Sequence, residues 1–260
     1  GCPNIFIKDE RQGPTSSFKD RQAAVSIAAL KEAGITEMVV ASTGNVAIAY
    51  SAYAARAGIK LWAFVTSLVP EVKMREIALY GSQVIKVTGS YDQAKHIAAE
   101  FAKQRNLYRN MGARSVPSIE SMKTISFEIA EQLTALLGPE AEGDAAQPTW
   151  RTPDWYIQPV SGGMGPIGVS KGFSELKKMG MIKKLPAIAA IQAAGCAPMV
   201  ESWKKGLEDA EPVTTPRTHI ETLATGDPGR GYKLLRKEVD DTNGVFESVT
   251  DEEAYRAMHV

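Results

Sequence analysis

The stretch MVVASTGNVAIAYSAYAARAGIKLWAFV, Met38–Val65, decides the fold. Met38-Val39-Val40 is a short apolar run with two β-branched residues, and Leu61-Trp62-Ala63-Phe64-Val65 is a second apolar run, with two aromatics. Between them, Val46 to Arg56 has helical spacing and is closed by Gly58. Strand, helix and strand in that order read as a βαβ unit, hence a parallel sheet. Working downstream, a helix is predicted from Pro70, a residue suited to a first helical turn, to Gly81. Val84-Ile85-Lys86-Val87 is the next strand, and Tyr91 to Gln104 the next helix. After a less regular segment comes a longer helix, Ser121 to Leu137, with Ile125, Ile129, Leu133 and Leu136 on one stripe. Gly138 to Pro153 lacks any apolar period and reads as an exposed loop. Strands are predicted at Trp155–Val160, Ala187–Gln192 and Val245–Val249, and helices from Pro166 to Met179, Pro198 to Gly206 and Tyr232 to Val239. Upstream, Ile5-Phe6-Ile7 reads as a short strand and Gly13-Pro14 as a turn. Ser16 or Ser17 is then the N-cap of a helix through Leu30.

The 260 residues, 44% of them hydrophobic, suffice for one large or two smaller cores. Thirty basic and thirty acidic residues cancel, which argues against a nucleic-acid tract or a membrane-surface patch and for a small-molecule partner. Two cysteines, Cys2 and Cys196, make no disulfide framework, so the cytoplasm is the expected location. No apolar run has the roughly 18 residues of a membrane span, and no signal peptide is recognised. The chain opens without Met on an apolar run and closes soon after the capping box Thr250-Asp251-Glu252-Glu253, so further chain is expected at both ends.

Three places carry candidate chemistry. Lys19 sits at the junction of the Gly13-Pro14 turn with the first helix, where the positive end of the helix dipole favours a neutral, nucleophilic amine suited to Schiff-base chemistry. A solvated surface lysine is the plainer alternative. Ser42-Thr43-Gly44-Asn45 follows a strand and starts a helix, as an anion-binding turn or an ordinary cap would. Ser161-Gly162-Gly163-Met164-Gly165 repeats that placement with glycines that let the backbone approach a phosphate. Gly163-x-Gly165-x-x-Gly168 also matches a dinucleotide fingerprint. The strand that should end in a ribose-binding acid, however, reads Ile191-Gln192-Ala193-Ala194-Gly195, against a nicotinamide or flavin enzyme. Gly226 to Lys233 is read as a plain turn. His96, His219 and His259 have no ligand spacing, so no metal site is expected.

Taken in order, the lysine after Pro-Thr-x-Ser-Phe, the Ala-Ser-Thr-Gly-Asn turn and the mid-chain glycine turn resemble pyridoxal-phosphate enzymes of fold type II. Threonine synthase is the most similar family recognised. Matching segments are Ile7–Glu10, Pro14–Arg21, Ala41–Asn45, Ala52–Gly58, Glu120–Glu128, Pro159–Phe173, Thr222–Pro228 and Val249–Glu253. The resemblance implies an α/β fold of two open three-layer αβα lobes with largely parallel sheets. Residues 34–112 would be the small lobe, and residues 1–33 and 113–260 the large cofactor-binding lobe, with pyridoxal 5'-phosphate between them. It further implies that Lys19 is the Schiff-base lysine and that Asn45 meets the cofactor's phenolic oxygen. Ser161, Gly162, Gly163, Met164 and Gly165 would cradle the phosphate, while Lys8, Ser42, Thr43 and Gly44 would meet the substrate. The reaction implied is a carbon–oxygen lyase's, O-phosphohomoserine and water giving threonine and phosphate. A serine or threonine dehydratase, a β-replacement enzyme and a truncated non-catalytic homologue are the alternatives. A homodimer acting on a small amino acid, with no nucleic-acid or membrane partner, is expected.

This chain departs from the family pattern at two internal places. Ser16 and Gln22 replace the two glycines of Pro-Thr-Gly-Ser-Phe-Lys-Asp-Arg-Gly, and the backbone there is expected to keep negative φ. Ser118 stands where the family carries an arginine that helps to bind the substrate's phosphate, with Arg114 or Lys123 as candidate substitutes. The segment with the family's hydroxyl partner for the pyridine nitrogen is not found in this sequence.

Overall fold

The computed structural model describes residues 4–42, 44–67, 69–140 and 149–259. Thr43, part of the loop expected at 138–153, and Cys2 lie outside the described residues. The first sheet is built by β1 (Glu37–Ser42), β2 (Lys60–Thr66), β3 (Gln83–Val87) and β4 (Tyr108–Arg109), in the order β3-β2-β1-β4 and all parallel. The helices between them are α2 (Asn45–Ala57), α3 (Glu71–Leu79) and α4 (Tyr91–Gln104), preceded in the chain by α1 (Lys19–Glu32). The β1-α2-β2 unit is the one read from Met38–Val65. Gly58 closes α2 in the left-handed conformation at φ 73°, which glycine adopts without a Cβ clash.

Alternation along the strands gives the sheet two buried faces. Met38, Val40, Leu61, Ala63 and Val65 pack on Ala23, Ile27 and Leu30 of α1 and on Ala47, Tyr50 and Ala54 of α2. Val39 and Phe64 pack on Ala94, Ala98 and Ala102 of α4. The small alanines let α4 sit close to the sheet, and Phe101 covers the rim against Trp62 and Phe64 at ring-centroid distances of 5.0 and 5.2 Å.

The second sheet is β5 (Trp155–Pro159), β6 (Ala187–Ala193) and β7 (Val245–Val249), parallel and in that order. Its core joins Ile188, Ala190 and Phe246 to Val200 of α7 (Pro198–Lys204) and to Tyr232, Leu235 and Val239 of α8 (Arg230–Asp241). α5 (Val116–Leu137) lies along α6 (Met164–Lys178), and Met122, Ile125, Val169 and Phe173 are buried between them. The approach is close at two glycines: a Cβ on Gly168 would meet the Ile119 carbonyl at 2.5 Å, and one on Gly172 the Lys123 carbonyl at 2.9 Å. The chain's last helix, α9 (Asp251–Ala257), starts in the expected capping box with both halves formed.

Four local readings are corrected. Ile5-Phe6-Ile7 is not a strand; it pairs with no neighbour among the described residues, and its side chains are exposed. α5 starts at Val116 with Pro117 in its first turn, five residues before the predicted start. α6 opens at Met164 rather than Pro166. The two-residue β4 has no sequence period of its own and exists only through its register with Met38 and Val39.

Candidate active site

One large cleft of about 1640 Å³ opens along the C-terminal ends of both sheets. Lys8, Lys19, Ser42, Asn45 and Ser161 to Gly165 all line it, whereas Gly44 does not. The topology explains the meeting, because in parallel sheets the strand-to-helix turns collect at one edge.

Lys19 opens α1. The turn before it is held by Asp20, whose carboxylate accepts from the Thr15 amide at 2.9 Å and the Thr15 hydroxyl at 2.7 Å. The expected serine cap is corrected: Phe18 occupies the N-cap position, no side chain caps α1, and Ser17 Oγ is buried without a partner among the described residues. Ser16 is corrected as well. It sits at φ 55° rather than negative φ, because its amide closes the turn on the Gly13 carbonyl at 3.0 Å. A non-glycine residue there costs roughly 1–2 kcal/mol. Lys19 Nζ lies 4.0 Å from the centre of the Phe18 ring, and burial lowers its pKa from the usual 10.5 to about 8. Desolvation, and not the helix dipole expected from the sequence, is what favours the neutral amine.

The second turn is assembled differently from the expectation. Ser42 is buried, and its Oγ accepts from the amides of Gly44 at 2.9 Å and Ala47 at 3.2 Å, so it acts as a cap of α2. Gly44 takes φ 135°, a glycine conformation, with the Lys73 side chain against it. Lys73 Nζ donates to Asn45 Oδ1 at 3.0 Å. An ammonium can only donate, so it fixes the amide with Nδ2 as the remaining, donating end. Lys73 does not line the cleft but holds a residue that does, a contact that sequence reasoning missed, since a lone lysine on α3 carries no local signal for it.

The glycine turn is the third wall. Gly163 adopts φ 78° as the N-cap of α6, and no side chain caps the helix. α8 converges on the same turn: a Cβ on Gly231 would meet the Gly162 carbonyl at 2.3 Å, and α8 also lacks a side-chain cap. Two helix N-termini thus face one concave wall, an arrangement suited to a phosphate group. The Gly226–Lys233 segment, read as a plain turn, lines the cleft at Asp227 to Gly231, and Lys95 of α4 ties it across the cleft by donating to the Asp227 carbonyl at 3.1 Å. Its closely spaced glycines were the available signal. The dinucleotide alternative loses its acid for a visible reason: Gln192 Oε1 caps α7, accepting from Met199 at 2.9 Å and Val200 at 3.2 Å.

Lys8 stands at the rim, paired with Glu128 at 2.7 Å. Glu128 also receives both ends of the Arg21 guanidinium at 2.6 Å, and Arg21 turns its other edge to Glu10. The network fastens the first turn of α1 to α5 and lowers the Glu128 carboxyl to about 2, chiefly through Arg21. Ser118 is fully buried, in hydrogen-bond contact with Gln22 and Asn110. Of the two candidate substitutes for the family arginine, Arg114 lines the cleft, while Lys123 is paired with Glu120 and Glu175.

A family model described as "Pyridoxal-phosphate dependent enzyme" matches residues 1–259. Curated relatives include the threonine synthase of Methanocaldococcus jannaschii, 33% identical over 99% of this chain and 60% of its own length. That of Methanosarcina acetivorans is 31% identical with the same coverage. The chain therefore spans about 60% of the length of these relatives. Among solved structures, maize serine racemase is similar with a TM-score of 0.77 at 22% identity, over 97% of this chain and 68% of that one. A threonine deaminase from Solanum lycopersicum gives 0.71 at 19%, over 94% and 60%.

Proposed function

That the chain belongs to the pyridoxal-phosphate dependent enzymes is the premise from which we propose a carbon–oxygen lyase resembling threonine synthase, acting on a small amino acid in this cleft. The observation that carries the reading is Lys19, a half-buried lysine at the cleft wall whose amine is lowered to about 8 by desolvation, in one cavity with the Asn45 turn and the glycine wall. The residues present fit the cofactor. Lys19 suits its aldehyde carbon, Asn45 Nδ2 its phenolic oxygen, and the wall from Ser161 to Gly165, under two uncapped helix starts, its phosphate. Pyridoxal 5'-phosphate, when bound, supplies the electron sink for negative charge at the substrate's Cα. Lys19 Nζ, near neutrality in its pKa, is suited to take the proton from Cα and return it to a leaving oxygen. The first-turn amides of α2 at Asn45 and Val46 offer a place for the substrate carboxylate. Lobes at 34–112 and at 1–33 with 113–260, closing around the substrate to keep water from Lys19, belong to the same proposal.

Two leaving groups are in play. The curated relatives are named threonine synthase, and the reaction implied by that resemblance has phosphate leave O-phosphohomoserine. The buried Ser118, in place of a guanidinium, supports the hydroxyl of a serine- or threonine-like amino acid. The test is the visible spectrum of the purified chain with added pyridoxal 5'-phosphate, beside Lys19→Ala, followed by borohydride reduction and peptide mapping. A yellow species trapped on Lys19 and lost in the variant is expected. No adduct, or one on another lysine, overturns the reading in favour of a non-catalytic homologue.

A further inference from the structure

Ser118 Oγ is the centre of a buried, uncharged cluster. It accepts from Gln22 Nε2 at 3.2 Å and from Asn110 Nδ2 at 3.3 Å, and its hydroxyl lies 3.3 Å from Ser26 Oγ and 3.5 Å from the Tyr50 hydroxyl. Asn110 is itself fixed, with Nδ2 donating to Tyr50 at 2.7 Å and Oδ1 accepting from the Gly112 amide at 2.9 Å. Gln22 is 1% exposed, and its Oε1 is buried with no hydrogen-bond partner among the described residues. Gln22 and Asn110 line the same cleft as Lys19, which lies one helical turn before Gln22 on α1.

A buried acceptor left unpaired is costly and is relieved by a donor. A phosphate dianion presents acceptors to such an atom, whereas a hydroxyl presents an O–H. Among the described residues the cluster contains no cation, and no hydrogen bond or ion pair joins Arg109 or Arg114 to it. We propose that Gln22 Oε1, backed by Asn110 and Ser118, is the subsite for a free side-chain hydroxyl, so that the substrate is a small hydroxy amino acid and not its phosphate ester. This rests on the lyase reading above and selects between its two leaving groups. In the step it implies for a β-hydroxy amino acid such as serine or threonine, Lys19 takes the Cα proton, the pair left at Cα becomes the Cα–Cβ double bond, and the Cβ–O bond breaks with its electron pair on oxygen. The hydroxyl leaves with that proton as water, and a second water hydrolyses the unsaturated amine to a 2-oxo acid and ammonia.

The experiment uses the cofactor-loaded chain and measures dissociation constants by calorimetry, alongside 2-oxo acid and phosphate release. The ligands are L-serine, L-threonine, L-homoserine and O-phospho-L-homoserine. The wild type is expected to bind at least one free hydroxy amino acid about tenfold more tightly than the phosphate ester. Gln22→Met, which removes the unpaired acceptor, should weaken the hydroxy ligand about tenfold and leave the phosphate ester unchanged. The double change Gln22→Gly with Ser118→Arg should reverse the preference. A purely structural Gln22 would leave the ratio of the two affinities where it was, and that result overturns the proposal. So does tighter binding of the phosphate ester by the wild type. Trapping at Lys19 separates the cases: an adduct with phosphate-ester preference removes the subsite and keeps the lyase, and no adduct removes both.

Discussion

The neutral amine at Lys19 can be titrated directly. With its pKa at about 8 rather than 10.5, roughly a quarter of the amine is unprotonated at pH 7.5, against about one part in a thousand for an ordinary lysine, a gain of roughly 200-fold in nucleophile. Two opposing effects meet there. Burial favours the neutral form, while the Phe18 ring at 4.0 Å favours the ammonium by a cation–π attraction of about 0.5–1 kcal/mol. Burial wins. Phe18→Leu keeps an apolar neighbour and removes the ring, so the pKa of Lys19 should fall further, by about half a unit. The assay is the rate of acylation of Lys19 by an amine-selective reagent between pH 6 and 11, read by peptide mapping, with a surface lysine of the same chain as internal reference. An inflection near 8 in the wild type and slightly lower in Phe18→Leu is expected. Linkage gives the same sign in stability. Between pH 8 and 10.5 the unfolded chain holds the proton that the folded one has lost, so this group makes stability rise with pH across that window. An inflection above 10, or an upward move in Phe18→Leu, would refute the assignment of the shift to burial.

The other predictions concern parts that hold Lys19 and its cleft in place. Glu128→Gln should destabilise the chain by about 2 kcal/mol at pH 7, a shift from 4.5 to about 2 discounted for a side chain about one-third exposed. Because the folded-state pKa is depressed, that stabilisation is present above 4.5 and is lost as pH falls towards 2. Urea midpoints of wild type and variant should therefore converge on acidification, with roughly 40% of the gap gone by pH 3.5, and a gap independent of pH would contradict the pairing. Lys73→Met should leave the urea midpoint within about 0.5 kcal/mol and weaken pyridoxal-phosphate binding about tenfold, by freeing the Asn45 amide to turn; equilibrium dialysis decides it, and unchanged affinity removes Lys73 from the site. Gly168→Ala would place a Cβ 2.4 Å from Met122 Cβ, forcing α5 from α6 at a cost of about 1–3 kcal/mol. Gly162→Ala, with nothing within 4 Å of the new Cβ, is the comparison, and equal urea midpoints for the two would show the helix contact to be loose.

What could be read from the chain was what the chain decides locally. The β1-α2-β2 unit, the Gly58 stop and the Thr250 capping box depend on residues a few positions apart, and the structure has them where the periodicity placed them. Lys19, Asn45 and the glycine turn were legible for the same reason, each being a strand-to-helix or turn-to-helix junction. The misses share the opposite cause. Ile5-Phe6-Ile7 has strand composition and no neighbour to pair with, while Tyr108-Arg109 has no strand composition and is a strand because β1 lies beside it. A serine in place of the family glycine was expected to need negative φ at position 16, but the closing bond to Gly13 sets its backbone at φ 55°.

Gln22 and Ser118 carry that argument furthest. In the sequence they are two separate departures from a family pattern, a glycine gained as a glutamine and an arginine lost to a serine, 96 residues apart. In the fold they are one contact, Gln22 Nε2 on Ser118 Oγ, enclosed by Ser26 and Tyr50. A guanidinium at position 118 would have to occupy space that these side chains fill, since Ser118 is completely buried. A glycine at 22 would in turn remove one of the two amide donors to the serine, leaving Asn110, and would open the space that the glutamine fills. The arginine is therefore unfavourable without the glycine, and the pair converts a place for a cation into a neutral pocket with one acceptor unpaired. For that reason Ser118→Arg alone should fail to fold well while the double change restores stability, a non-additivity of the size expected for residues in direct contact, about 0.5–3 kcal/mol. A double-mutant cycle on the urea midpoints that returned simple additivity would mean that the two departures arose independently and that their contact does not shape the pocket.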